Sequence, residues 1–174
     1  MVHQRRDPAH PYSNTPVAAA QSQEQIDRLL EKFGAVGTSW ATRFDVGRIE
    51  LTFAVQGKDG RNIGVRVIAP ILVSKHRKWD EEKGKSQVVL AGNRAQSMRL
   101  LYYYVKSKLE AVQVGLREFE EEFMADTLIK DAAGQTVRVA ELILPAIEAG
   151  GGRLQLDAPK RREGAIDTDA RSTG

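Results

Sequence analysis

The sequence predicts an α+β domain in which a small three-stranded antiparallel sheet is packed by a long helix and two to three shorter helices. Two neighbouring runs, Ile49–Val55 and Ile63–Ala69, follow an alternating pattern, which is typical of strands with one buried face. Between Met98 and Val112, apolar residues recur at spacings of three, four and seven, the pattern of an amphipathic helix. Because the strands are grouped instead of alternating with helices, the order favours α+β.

A short helix is predicted before the strands, at Ser22–Phe33. Ser22 is its candidate N-cap, and Gly34 is placed to end it, because glycine adopts the left-handed conformation at low cost. The apolar face of this helix consists of Ile26, Leu29, Leu30 and Phe33.

The sheet is predicted from three segments and their turns. The turn sequence Gly-Lys-Asp-Gly at 57–60 joins the two alternating runs into a β-hairpin. Val36–Phe44 is the third predicted strand, and Pro70 stops the sheet or restricts it to an edge. The following connection, 74–92, is long for a compact domain. It is rich in lysine and arginine, so we predict a long basic loop there.

The remainder of the domain is predicted to be helical. The long helix starts after Asn93, its N-cap, and ends at Gly115. A second, shorter helix follows, with its apolar edge at Leu116, Phe119 and Phe123. Residues 131–134 form a turn, and 137–149 form a last helix that Pro145 kinks or divides.

Three regions are predicted along the chain. A single α+β domain spans residues 22–149. Residues 1–21 contain three prolines and no periodicity, so they are predicted to be a flexible N-terminal arm. Residues 150–174 combine three consecutive glycines with the basic run Lys160–Arg162 and are predicted to be a flexible basic C-terminal tail.

Composition excludes several classes of protein. The chain has 174 residues, of which 41% are apolar and 28% are charged, which is typical of a globular protein. It has no cysteine, which excludes disulfides, thiolate metal sites and a cysteine nucleophile. No apolar run reaches the length of a membrane-spanning helix and no signal-peptide pattern is present, so we expect a cytoplasmic protein without a membrane partner.

No catalytic residue, metal site or cofactor is predicted. His3, His10 and His76 lack the neighbours required of a general base or a zinc ligand. Glu118 and Glu122 share a helix face, but no second carboxylate pair completes a metal cage. We therefore interpret them as part of a solvated helix face and expect a protein that is not an enzyme.

One segment resembles a known group of proteins. The sequence KSKLEAVQVGLREFEEEF at Lys106–Phe123 resembles small, largely uncharacterised proteins encoded by bacteriophages and prophages. The similarity extends over most of Gln25–Ile147 and includes Trp40. It implies a phage-derived gene product in the host cytoplasm, for which DNA metabolism is the commonest role. The group has no defined active-site motif to carry over.

The charge of the chain is unevenly distributed. Arg43–Lys108 has 14 Lys/Arg against 6 Asp/Glu, a local net charge of +8, whereas Glu110–Glu148 has 3 against 9, a local net charge of −6. Cations that neutralise phosphates, with aromatic faces on which bases stack, are the ingredients of sequence-tolerant single-strand binding. The predicted nucleic-acid-binding residues are Arg48, Arg66, Lys75, Arg77, Lys78, Trp79, Lys83, Lys85, Arg94 and Arg99.

Two functions remain open at this point. The first is a non-enzymatic phage-type protein that binds nucleic acid and acts in phage DNA metabolism. The second is a protein-interaction module, such as an inhibitor or adaptor of a host factor, that docks through the acidic half at Glu110–Glu148. The two oppositely charged halves also predict homo-oligomers with head-to-tail contacts, which form a ring if the rotation closes.

Overall fold

The computed structural model describes residues 11–82 and 84–151 and has the predicted α+β fold. The predictions for residues 1–10, for Lys83 and for the tail from residue 152 onward lie outside the described residues. The elements in chain order are α1 (Ala19–Phe33), β1 (Ala35–Arg43), β2 (Arg48–Gln56), β3 (Asn62–Pro70), β4 (Val73–Asp80), β5 (Lys85–Gly92), α2 (Arg94–Gln113), α3 (Phe119–Glu122), a 3-10 turn (Met124–Asp126), β6 (Leu128–Lys130), β7 (Thr136–Arg138), α4 (Val139–Ala146) and a π turn (Ile147–Gly151).

The core lies between the three-stranded sheet and the helices α1 and α2. The strands are antiparallel in the order β1-β2-β3, as predicted. Every second residue of β2 is buried, because one face of the sheet is covered by the helices. The buried apolar residues are Ile26, Leu30, Ile49, Leu51, Phe53, Val55, Val65, Val67, Met98, Leu101, Val105, Leu109, Phe119 and Phe123. The predicted apolar stripe of the long helix is therefore core.

The helix ends were predicted with mixed success. Asn93 caps α2, since its side-chain oxygen accepts a hydrogen bond from the Gln96 N–H at 3.0 Å. Gly34 ends α1 in the left-handed conformation with φ of +100°. The N-cap prediction for Ser22 was wrong, because α1 begins at Ala19 and Ser22 is buried inside the helix. Burial against α2 thus outweighs its capping propensity.

The predicted basic loop at 74–92 is instead a two-stranded antiparallel ribbon, β4–β5. Its register runs from Val73 opposite Gly92 to Asp80 opposite Lys85. The sequence did not indicate strands here because the polar run Ser-Lys-His-Arg-Lys at 74–78 contains no apolar residue and so shows no alternation. A ribbon with two exposed faces has no need for the alternation of apolar and polar residues by which strands are recognised.

The region after α2 also differs from the prediction. The second helix is reduced to the four residues of α3, and Leu116, expected on its apolar edge, is exposed. The predicted turn at 131–134 joins the short strands β6 and β7, which were not expected. The last helix begins at Val139, and its α-helical pattern becomes a π turn shortly after Pro145.

Residues 11–18, which belong to the predicted arm, contact α2. The side-chain amide of Gln96 donates to the Pro11 carbonyl at 2.9 Å. The amide of Asn93 donates to the Ser13 carbonyl at 2.9 Å, and the Tyr12 ring stacks on Tyr103 with centroids 5.0 Å apart. The N-terminus of α2 therefore joins this segment to the domain.

We predict that Asn93→Ala lowers the free energy of unfolding by about 1–2 kcal/mol, because the helix loses its cap. Urea unfolding followed by circular dichroism measures the change. Asn93→Ser is the matched control, because serine keeps a capping oxygen and, like alanine, lacks the amide that donates to Ser13 and Ser74. If the Ser variant were as unstable as the Ala variant, the capping bond would not be the cause.

Candidate nucleic-acid interface

Nine of the ten predicted nucleic-acid-binding residues lie within the described part of the chain, in two places. Most belong to the ribbon and to the adjacent first turns of α2, and two lie on the three-stranded sheet. The ribbon group is Lys75, Arg77, Lys78, Trp79 and Lys85, the α2 pair is Arg94 and Arg99, and the sheet pair is Arg48 and Arg66. Lys83 is outside the described residues, and only the backbone of Arg77 and Lys78 is described.

One face of the ribbon carries an exposed aromatic and apolar stripe. The register places Lys75 opposite Leu90. Trp79 and Val88 lie on the same face, because every second residue of a strand points the same way. The exposed fraction is 62% for Trp79, 63% for Val88 and 54% for Leu90. The indole ring of Trp79 is therefore available to a partner.

Three exposed cations lie on or next to the ribbon. Lys75 and Lys85 lie on the ribbon, and Arg94 is the first residue of α2. All three are exposed, and no ion pair joins them to any of the residues that the structure describes. The ribbon therefore exposes cations and an aromatic ring, with the acidic residues Asp80 and Glu81 beside the ring.

Hydrogen bonds at the N-terminus of α2 hold the base of the ribbon. The Asn93 side-chain amide donates to Ser74 Oγ at 3.0 Å, and the Asn93 backbone N–H donates to the Leu72 carbonyl at 2.6 Å. The Leu72 N–H in turn donates to Ser97 Oγ at 2.8 Å. Because Asn93 is also the N-cap of α2, the position of Arg94 relative to the base of the ribbon is fixed.

The two predicted residues on the sheet, Arg48 and Arg66, differ in exposure and in their partners. Arg48 pairs with Glu50, with Nε and Oε1 2.7 Å apart, so its charge is neutralised locally. Arg66 is half-buried, and its Nε has no hydrogen-bond partner among the described residues. Both lie on the face of the sheet opposite the helices, since they alternate with Ile49 and Val65 of the core.

The guanidinium of Arg99 is held by contacts within the protein. Its guanidinium donates to Gln25 Oε1 at 2.7 Å and to the Tyr103 hydroxyl at 2.9 Å. Its Cζ also lies 4.6 Å from the ring centroid of Tyr102 and 4.7 Å from that of Tyr103, within the range of cation–π attraction. Arg99 thus connects α1 to α2, which a pattern of charges in sequence does not reveal.

Folding reduces the charge separation between the two halves of the sequence. Lys58, from the basic half, pairs with Glu118 at 2.8 Å, and Lys108 pairs with Glu122 at 2.8 Å. The two carboxylates considered as a metal pair therefore bind different lysines. Among the described residues, no three His, Cys, Asp or Glu side chains are grouped as a metal site would require.

A groove beside the sheet was not predicted. It has a volume of about 340 Å³ and lies between the edge strand β3 and α2. Its walls include Val67, Leu72 and Leu100, and at one end the Tyr104 hydroxyl donates to Asp126 Oδ2 at 3.4 Å. Burial, assisted by the charge of Asp126, raises the pKa of the Tyr104 phenol. No local pattern indicates this groove, because its residues come from distant segments.

Comparison with protein families, with curated proteins and with solved structures finds no match to this chain. The resemblance of Lys106–Phe123 to phage-encoded proteins therefore stays a prediction. Within the described part of the chain, no helix combines the length and the apolar character needed to cross a membrane.

We predict that acrylamide quenches the fluorescence of Trp79 much more strongly than that of Trp40. Trp40 is half-buried and its indole N–H donates to Asp27 at 2.9 Å, whereas Trp79 is largely exposed. The variants Trp40→Phe and Trp79→Phe each leave one emitter, so their Stern–Volmer slopes compare the two rings directly. Equal slopes would contradict the exposure of Trp79.

Proposed function

We propose that this chain is a non-enzymatic nucleic-acid-binding protein that contacts its ligand through the β4–β5 ribbon, with a preference for single strands and little sequence specificity. The observation that carries the proposal is the exposed Trp79 of a ribbon that also carries the exposed cations Lys75 and Lys85, neither of which has an ionic partner among the described residues. A third such cation, Arg94, begins the helix that follows the ribbon. The resemblance to phage proteins favours a role in phage DNA metabolism, in the host cytoplasm.

Each part of this surface suits one part of a nucleic acid. Lysine and arginine side chains neutralise phosphates and release condensed counterions, which favours binding at low salt. An aromatic ring stacks on any unpaired base, so it contributes affinity without reading sequence. Phosphate contacts alone carry no direct sequence information. One exposed indole on a ribbon that also carries lysines therefore favours sequence-tolerant binding to unpaired bases.

A second candidate function is a protein-interaction module that docks through the acidic helical half. The observation that favours it is the exposure of α4, where Leu142, Ile143 and Leu144 are each about half exposed. Exposed apolar patches of this kind mark protein-contact sites. A pull-down from host lysate after nuclease treatment separates the two functions. A stoichiometric protein partner favours the module, and loss of all bound material favours nucleic acid.

We predict that fluorescence anisotropy detects binding of a labelled single-stranded oligonucleotide at low salt and that affinity falls as salt rises. Replacing Lys75 or Lys85 with alanine should reduce the slope of log K against log salt by about 0.7 for each phosphate that the variant no longer neutralises. Trp79→Ala should cost about 1–3 kcal/mol of binding free energy, because the ring that stacks on a base is removed.

The matched control is Lys32→Ala. Lys32 is an exposed lysine in the last turn of α1, and its neighbour Phe33 packs on Phe119, beyond the C-terminal end of α2. It therefore lies away from the ribbon and should leave both affinity and salt slope unchanged. Absence of binding at low salt, or equal losses of affinity in Lys32→Ala and Lys85→Ala, would contradict the proposal.

A further inference from the structure

The helix α4 presents apolar side chains to solvent. Leu142, Ile143, Leu144 and Ile147 are each between 45% and 53% exposed, and no residue of α4 is buried. A helix that is apolar on several sides is normally buried. An isolated helix of eight residues is also too short to be stable in water without packing. The apolar side chains of α4 therefore require a surface to cover them.

One face of the ribbon presents a second apolar patch, which extends from its third residue pair to its fifth. Val88 and Leu90 are both more than half exposed and share a face with Lys75. A two-stranded hairpin is at best marginally stable in water unless a further strand or helix packs on it. Among the described residues, the hydrogen bonds that tie the ribbon to the domain lie at its base, around Asn93.

The two patches join the domain at different ends of β3. The ribbon follows Pro70, where β3 ends. The segment leading to α4 pairs with β3 near its beginning, through a bridge between Val65 and Thr127. Within the described residues no hydrogen bond or ion pair joins the ribbon to α4. In such an arrangement each patch is open to another molecule.

The two patches also carry opposite charges. Lys75 is exposed beside Leu90 and has no ionic partner among the described residues. Glu148 is exposed next to Ile147 and likewise forms no ion pair there. The apolar patch of the ribbon, with Lys75 at its margin, is thus complementary to the apolar patch of α4, with Glu148 at its margin. Complementary charges of this kind orient partners and fix their register.

We propose that α4 of one copy packs against Val88 and Leu90 of the ribbon of a second copy, with Lys75 facing Glu148. The interface is heterologous, so each copy uses one patch and leaves the other open for the next copy. Repetition gives a ring if the rotation closes and a filament if it does not. This assembly does not depend on nucleic-acid binding, although it shares Lys75 and one face of the ribbon with the proposed nucleic-acid interface. Lys85 stays uncovered, because it lies opposite Asp80 on the other face of the ribbon.

A mixing experiment tests the interface. In the ribbon variant, Val88→Asp and Leu90→Asp remove one patch, and in the helix variant, Leu142→Asp and Ile143→Asp remove the other. Light scattering after size exclusion should show assemblies for the unmodified chain and monomers for each variant alone. The mixture should give a 1:1 dimer and nothing larger, with a mass about twice the 19.3 kDa of one chain, because only one intact interface can form.

Several results would overturn the proposal. They are an unmodified chain that stays monomeric at every concentration, a single variant that still assembles, and a mixture that stays monomeric. Circular dichroism of each variant verifies that it is folded.

Charge exchange provides a test that leaves the apolar residues in place. Lys75→Glu and Glu148→Lys should each weaken assembly through like-charge contact, and mixing the two variants should restore it. Failure of the mixture to recover would contradict the pairing of Lys75 with Glu148. Oligonucleotide binding measured on the helix variant, Leu142→Asp and Ile143→Asp, separates this proposal from the proposed function, because that variant leaves every residue of the proposed nucleic-acid interface unchanged. Lys75→Glu does not serve this purpose, because Lys75 belongs to both surfaces.

Discussion

Burial of α2 against the three-stranded sheet is the constraint on which the other features depend. Four side chains of this helix, Met98, Leu101, Val105 and Leu109, are almost completely buried. At about 1.5–3 kcal/mol for each buried side chain, they contribute a gross 6–12 kcal/mol, which is about as large as the net stability of a typical domain. The helix therefore fixes where its own N-terminus lies, and with it the base of the ribbon.

The parts of the fold that could be predicted are those in which burial imposes a period. Ile49–Val55 alternates because one side of β2 faces the helices, and the stripe of α2 follows the helical turn. The ribbon could not be recognised, because neither of its faces is buried in the domain. The N-cap prediction for Ser22 failed for a different reason. Serine is a common capping residue, but it is also small enough to be buried at an interior position of a helix.

The candidate site was predictable as a set of residue types but not as an arrangement. The cations of the ribbon are close in sequence, so they lie near one another whether the segment is a loop or a pair of strands. The pairing of Lys58 with Glu118, 60 residues apart, has no local signal, and neither does the contact of Arg99 with Gln25. Such long-range partners decide which charges remain available, and they are known only once the chain is folded.

The exposed ribbon and the buried sheet are expected to differ in local stability. Its exposed side chains, such as Trp79, Val88 and Leu90, shield its backbone hydrogen bonds less than the core shields those of β2. We therefore expect the ribbon to open locally at a lower free energy than β2. A ligand or partner that orders the ribbon acts on this local equilibrium. Such ordering would slow hydrogen exchange in β4 and β5 and leave exchange in β2 unchanged. Binding at the ribbon can therefore change without a change in the global stability of the domain.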